Sequence, residues 1–161
     1  MVKLKKVTLQ YIEIEDRIRM LADLDGEERA VFWLTQRLCR RLVPKLVHHL
    51  EHSAPDSHLV DKGLMLSVQQ HDAGWQQKFS EPVRSTGLSR SVLPEKVDLF
   101  CPAGGAAIIF PLDDGGEPAR LQMTMLELRQ WMAVIYRQFQ VAGWPMEVWP
   151  QWFALSEPGK N

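Results

Sequence analysis

The sequence predicts an α+β fold of two βββα units, an antiparallel sheet packed by helices on one face, with an extra helix between the units. Three observations carry this. Short segments of alternating apolar and polar residues come in threes and run straight into a helical pattern. A threonine stands at that junction both times, Thr35 and Thr124, where a helix N-cap belongs. Residues 26–51 also overlay residues 115–140 without a gap: Gly26 meets Gly115, Glu28 meets Glu117, Ala30 meets Ala119, Thr35 meets Thr124 and Arg40 meets Arg129. The expected layout is a single domain 1–161, with repeat one at about 3–53, an inserted helical segment at about 57–80, repeat two at about 97–143 and an aromatic tail 144–161.

In the first strand Val7, Leu9 and Tyr11 alternate with Lys6, Thr8 and Gln10. The apolar set then shifts to Ile12 and Ile14, which predicts a bulge near Tyr11. Glu15-Asp16 is a turn. The second strand places Ile18, Met20, Ala22 and Leu24 on one face and Arg17, Arg19 and Asp23 on the other. Asp25-Gly26 is a hairpin turn, and Ala30, Phe32 and Leu34 set the phase of the third strand. After Thr35, Leu38, Leu42, Leu46 and Leu50 recur every four residues, flanked by Cys39, Val43 and Val47. Pro44 should kink or restart this helix. Ser53 to Ser57 reads as a loop. A second helix is expected from about Leu59 to Phe79, with Leu64, Val68 and Trp75 on one face, and residues 80–96 as irregular connection.

The strand pattern then returns at Val97–Pro102, Ala106–Leu112 and Ala119–Met123, punctuated by Gly104-Gly105 and by Asp113-Asp114-Gly115-Gly116. Thr124 with Glu127 three residues on forms a capping box for the last helix, whose apolar face is Leu128, Trp131, Met132, Ile135 and Phe139. Gly143 and Pro145 end it and set Trp144 to pack on Phe139. The tail from Gly143 to Phe153 is aromatic enough to dock on the core.

Composition narrows the functional classes. The 161 residues are 45% apolar and 24% charged, which excludes a disordered chain. With 19 basic and 20 acidic residues the net charge is −1, less basic than a dedicated duplex-DNA binder. No apolar run approaches a membrane span. MVKLKKVTLQ lacks the apolar stretch of a secretory signal, so a cytoplasmic protein with reduced Cys39 and Cys101 and no membrane partner is expected.

Two strand faces follow from the alternation. The helix-covered face takes Ile18, Met20, Ala22, Phe32, Leu34, Leu121 and Met123; the opposite face holds Arg17, Arg19, Leu21, Val31, Trp33, Arg120 and Gln122. Arginines interleaved with an aromatic on an open sheet suit single-stranded nucleic acid, with guanidinium groups on phosphates and a ring on a base. In element order the chain resembles the PUR-repeat and Whirly single-stranded-DNA-binding proteins, which use antiparallel strands followed by a helix twice; the resemblance implies single-stranded nucleic acid as a partner on this face. The segments EDRIRM, VFWLTQRL and LRQWMAVIYRQ are also similar to proteobacterial hypothetical proteins, a likeness that implies no activity. The competing reading is that Leu21, Val31 and Trp33 meet a second copy in a homodimer, or another protein partner.

All five histidines fall between positions 48 and 71. His48 and His52, at i and i+4, with Glu51, His58, His71 and Asp72, are the candidate metal ligands. HHLEH lacks the histidine–glutamate order of a metalloprotease helix. Arg37, Arg41 and Lys45 share one helix face that suits an anion or acidic partner. No phosphate-cradling glycine loop and no G-x-S-x-G is present; no cofactor and no catalytic residue is expected. The leading reading is a non-enzymatic binding or assembly module. The alternatives are a single-stranded nucleic-acid binder and a metal-dependent enzyme at the histidine cluster.

Overall fold

The computed structural model of the chain describes residues 1–54, 61–78, 80–112 and 115–157. Among them the fold is α+β: seven strands in one mixed sheet, and four helices. The strands are β1 (Val2–Ile12), β2 (Arg17–Leu24), β3 (Arg29–Thr35), β4 (Leu88–Val92), β5 (Asp98–Phe100), β6 (Gly105–Phe110) and β7 (Ala119–Thr124). The helices are α1 (Gln36–Ser53), α2 (Lys62–Trp75), α3 (Met125–Ala142) and α4 (Gln151–Ser156).

The sheet order is β4-β3-β2-β1-β7-β6-β5. Two antiparallel meanders, β1-β2-β3 and β5-β6-β7, lie side by side, and each runs into a helix. Because both meanders run the same way, their junction is parallel: Val2 pairs with Ala119 and Lys3 with Arg120. The sheet is therefore mixed and not purely antiparallel. A second parallel pair joins β3 to β4, a strand within the stretch expected to be irregular. Its sequence, LSRSV, buries only Val92 fully, so an edge strand of this kind leaves almost no apolar alternation to read.

One core joins both halves. Ile18, Met20, Ala22, Phe32 and Leu34 point into it from the first meander, and Ala106, Ile108, Phe110, Leu121 and Met123 from the second. The seven apolar residues of α1 face it from above, as do Leu128, Trp131, Met132, Ile135 and Phe139 of α3. Phe32 and Phe110 meet across the halves with ring centroids 4.9 Å apart. α1 is one continuous helix through Pro44, which sits on its exposed side; the expected restart does not occur.

The irregularity in β1 lies between Leu4 and Lys6, not near Tyr11. The shift to Ile12 and Ile14 marks the end of the strand: residues 13–15 form a 3-10 turn and Ile14 is 94% exposed. Asp16 closes this turn in the left-handed conformation. At the Asp25-Gly26 hairpin, Gly26 has φ +80°, the left-handed region open to glycine.

Both threonine caps form. Thr35 Oγ1 accepts from the Leu38 N–H at 3.1 Å, and Thr124 Oγ1 from the Glu127 N–H at 3.2 Å. The Glu127 carboxylate accepts from the Thr124 hydroxyl at 3.1 Å. At the other end of α3 the Trp144 N–H reaches Phe139 O at 3.1 Å and the Gly143 N–H reaches Gln140 O at 3.2 Å, a Schellman closure with Gly143 at φ +68°. The Trp144 ring then stands edge-on to Phe139 and Tyr11. The tail docks as the sequence suggests: Trp149, Trp152 and Phe153 are buried, and Trp149 meets Tyr136, Phe139 and Phe153.

The extra helix departs from expectation in extent. It runs from Lys62 to Trp75; Leu59 and Phe79, like most of the expected loop before it and Asp113-Asp114, lie outside the described residues. It packs on α3 and α4 through Leu66, Ser67, Gln70 and Ala73. Leu64, Val68 and Trp75 share one face as expected, and that face points outward.

Candidate functional site

Four regions carry the residues that the sequence singles out. On the sheet face opposite the helices, β2 and β3 set Arg19 beside Trp33, Leu21 beside Val31 and Asp23 beside Arg29. This half of the face is not open. The segment before β4 crosses it, and Val83 packs on Leu21 and Val31 with Trp33 alongside. The crossing is fastened by Val83 N–H to Thr8 Oγ1 at 2.9 Å, by Arg29 Nη1 to Thr86 O at 3.1 Å and by Trp33 Nε1 to Ser91 Oγ at 3.2 Å. An apolar trio costs free energy in water, and the chain's own Val83 removes it. The expectation that Leu21, Val31 and Trp33 await a second chain is corrected accordingly. Arg17 lies 3.9 Å from Glu15, and Arg19 donates to Gln10 Oε1 at 3.1 Å.

The other half of this face stays accessible. Arg120 lies beside Lys3, and its guanidinium sits 5.8 Å from the ring centroid of Phe100, which is 54% exposed. Arg120 Nε is buried with no hydrogen-bond partner. Beyond Lys3 and Arg120, β1 and β7 part, and a cleft of about 720 Å³ opens between them. Lys3, Lys5, Arg120, Gln122, Thr124 and Glu127 line it, with the Gly104-Gly105 turn as a wall. Only glycine fits at 105: a Cβ there would lie 2.1 Å from the Met123 carbonyl oxygen. The Gly105 carbonyl is held by His49 Nε2 at 2.7 Å, so α1 positions this wall.

The histidines are not gathered into one site. His48 and His52 stack on α1 with ring centroids 3.7 Å apart, and His52 Nδ1 lies 2.9 Å from the His48 carbonyl oxygen. His71, on α2, donates from Nδ1 to Ser156 O at 3.0 Å and accepts the Trp75 indole N–H on Nε2 at 2.7 Å. Both its nitrogens are thereby engaged, while Asp72 is exposed on the same helix. Among the described residues no three His, Cys, Asp or Glu side chains converge as a metal-ligand set, so the proposed set of His48, His52, His71 and Asp72 is not assembled; His58 lies outside the described residues. Neither thiol is activated. Burial pushes Cys39 up to about 12, and the exposed Cys101 is also raised by desolvation.

Arg37 and Arg41 line a shallow hollow of about 410 Å³ with Gln36, Arg40 and Val148, while Lys45 is exposed further along α1. Arg40 is ion-paired with Glu147. The hollow is open to water, where such charges are screened.

The fourth region is the outer face of α2, where Leu64 is 55%, Val68 51% and Trp75 76% exposed. At 100° per residue these three and His71 fall within a narrow stripe. Opposite it, Leu66, Ser67, Gln70 and Ala73 seat the helix, and Gln70 Nε2 donates to Arg129 O at 2.7 Å. Behind the stripe runs a groove of about 560 Å³ lined by His71, Trp75, Tyr136, Arg137 and Phe153. The spacing of Leu64, Val68 and Trp75 is legible in the sequence, but not its direction, which is set by the close approach that Ser67 and Ala73 allow.

Compared with protein-family models, with curated proteins and with solved structures, the chain finds no match in any of the three. No helix among the described residues is long and apolar enough to cross a membrane.

Proposed function

We propose that the chain is a non-enzymatic, cytoplasmic binding and assembly module that pairs with a second copy of itself through α2. The observation that carries this reading is the outward stripe of Leu64, Val68 and Trp75. Large apolar side chains lined up on a helix and left in water are what interfaces bury, and tryptophan is a favoured anchor.

The pattern is self-complementary when α2 meets its copy antiparallel. Pairing Leu64 with Trp75 of the second copy puts Val68 opposite His71. A twofold interface requires this reciprocity: each contact occurs twice.

Light scattering tests the reading. The wild type is expected to have the mass of a dimer at micromolar concentration, and Trp75→Asp that of a monomer with an unchanged circular dichroism spectrum, because Trp75 supports no part of the core. A wild-type monomer, or a Trp75→Asp dimer, would refute it.

A further inference from the structure

We propose that the cleft between β1 and β7 binds a nucleoside phosphate, with the phosphate between Lys3, Lys5 and Arg120 and the base on Phe100. The cleft shares no residue with the α2 stripe, so the proposal stands independently of the dimer.

The position follows from topology. β1 and β7 are parallel neighbours joined only at Val2–Ala119 and Lys3–Arg120. Past those pairs β7 ends at Thr124 and turns into α3, while β1 continues to Ile12. Ligands commonly occupy such crevices at the carboxyl ends of parallel strands whose connections diverge. A volume of about 720 Å³ suits a small molecule of nucleotide size.

The charge selects an anion. Three cations, Lys3, Lys5 and Arg120, line the cleft against one acid, Glu127. That carboxylate is turned to the Thr124 hydroxyl. Among the described residues Lys5 is held only by Asp25, at 3.2 Å, with both side chains more than half exposed, so an anion in the cleft competes for it. Lys3 is exposed at the rim. Arg120 lines the cleft from β7, with its guanidinium 5.8 Å from the Phe100 ring centroid.

Phe100 narrows the anion to one carrying a flat ring. It stands on the edge strand just beyond the cleft's lining, over half its surface in water, and Arg120, which lines the cleft, reaches to within 5.8 Å of its ring centroid. A ring of this kind beside phosphate-binding cations is the arrangement on which bases stack. Gln122 and Thr124 add neutral donors and acceptors between the two ends. The nucleoside phosphate is either a free nucleotide or one unit of a single strand.

Titration calorimetry with ATP, with pyrophosphate and with oligodeoxythymidylate on the full-length protein tests the proposal and separates the sources. ATP or the oligonucleotide is expected to bind, more weakly as salt rises. Tighter ATP assigns a free nucleotide; binding of the oligonucleotide alone assigns a strand. Phe100→Ala should weaken the bound probe by about 5- to 150-fold, the worth of one stacked base, and leave pyrophosphate unaffected. Lys3→Gln, at an exposed position, should weaken both ATP and pyrophosphate without changing the melting temperature, and Arg120→Lys should do so even if Arg120→Gln fails to fold. Absence of binding by both ATP and the oligonucleotide would overturn the proposal. So would ATP or oligonucleotide binding that Phe100→Ala and Lys3→Gln leave unchanged.

Discussion

Two buried tryptophans of the tail should respond unequally to the same substitution. Trp144 and Trp149 are both nearly inaccessible, and both stand edge-on to Phe139, at 5.2 and 5.4 Å. They differ at the indole nitrogen. Trp144 Nε1 donates to Asp16 Oδ1 at 3.0 Å, whereas Trp149 Nε1 is buried with no acceptor. Replacing either by phenylalanine leaves a void costing part of the about 3–5 kcal/mol of a full truncation to alanine. In Trp149→Phe that loss is offset by shedding an unpartnered buried donor, worth about 1–3 kcal/mol. Trp149→Phe should therefore be destabilised by less than about 1 kcal/mol. Trp144→Phe has no such offset and also loses its bond to a carboxylate. It should be the less stable of the two by about 2 kcal/mol, or about 4–8 °C in melting temperature for a chain of this size. Urea unfolding monitored by circular dichroism measures both. Equal losses, or a larger loss in Trp149→Phe, would refute the reasoning from the unpaired nitrogen.

Three further outcomes follow from the same contacts. Thr35→Ala and Thr124→Ala each remove an N-cap acceptor and should each cost about 0.5–2 kcal/mol in urea unfolding. Asp16 accepts from Tyr11 at 2.6 Å and from Trp144, which holds its carboxyl below the usual range, and the same bond pushes Tyr11 up to about 12. The Asp16 contribution is present above the ordinary carboxylate pKa and lost as pH falls through the lowered value. The Tyr11 contribution is present below about pH 10 and lost as pH rises through about 12. Asp16→Asn should flatten the stability profile at its acid end and bring the tyrosine titration seen in the ultraviolet to lower pH. Finally, a maleimide should label Cys101 in the native protein and Cys39 only after unfolding, because Cys101 is exposed and Cys39 is enclosed in the core.

Much of the fold is legible in the sequence where one residue type has one physical use. Thr35 and Thr124 cap helices because a hydroxyl at that position meets the free N–H groups of the first turn. The leucine ladder of α1 and the alternation of Ile18, Met20 and Ala22 point inward because each has a single apolar side. What is not legible lies where local pattern leaves direction open. In α2 the apolar stripe and the small-residue face are both periodic, and the packed core takes Ser67, Gln70 and Ala73 because they let the helix approach α3 closely. In the 80–96 stretch Val83 alone covers the β2–β3 half of the open sheet face, and LSRSV makes an edge strand with little burial to announce it. The parallel β1–β7 contact, which opens the cleft beside Arg120 and Gln122, depends on how the two meanders lie together and leaves no local mark in either strand.

The central claim, that α2 pairs antiparallel with a second copy, is tested most directly by a disulfide across the proposed interface. In a Cys101→Ser background, the double variant Leu64→Cys, Trp75→Cys places its thiols eleven residues apart on one helix, roughly 16 Å along its axis and too far to bridge within one chain. The account predicts that mild oxidation links this variant into a covalent dimer, while Leu64→Cys alone stays largely uncrosslinked because residue 64 faces residue 75 of the other copy. A double variant that remains monomeric on non-reducing gels, or a Leu64→Cys single variant that crosslinks equally well, would contradict it.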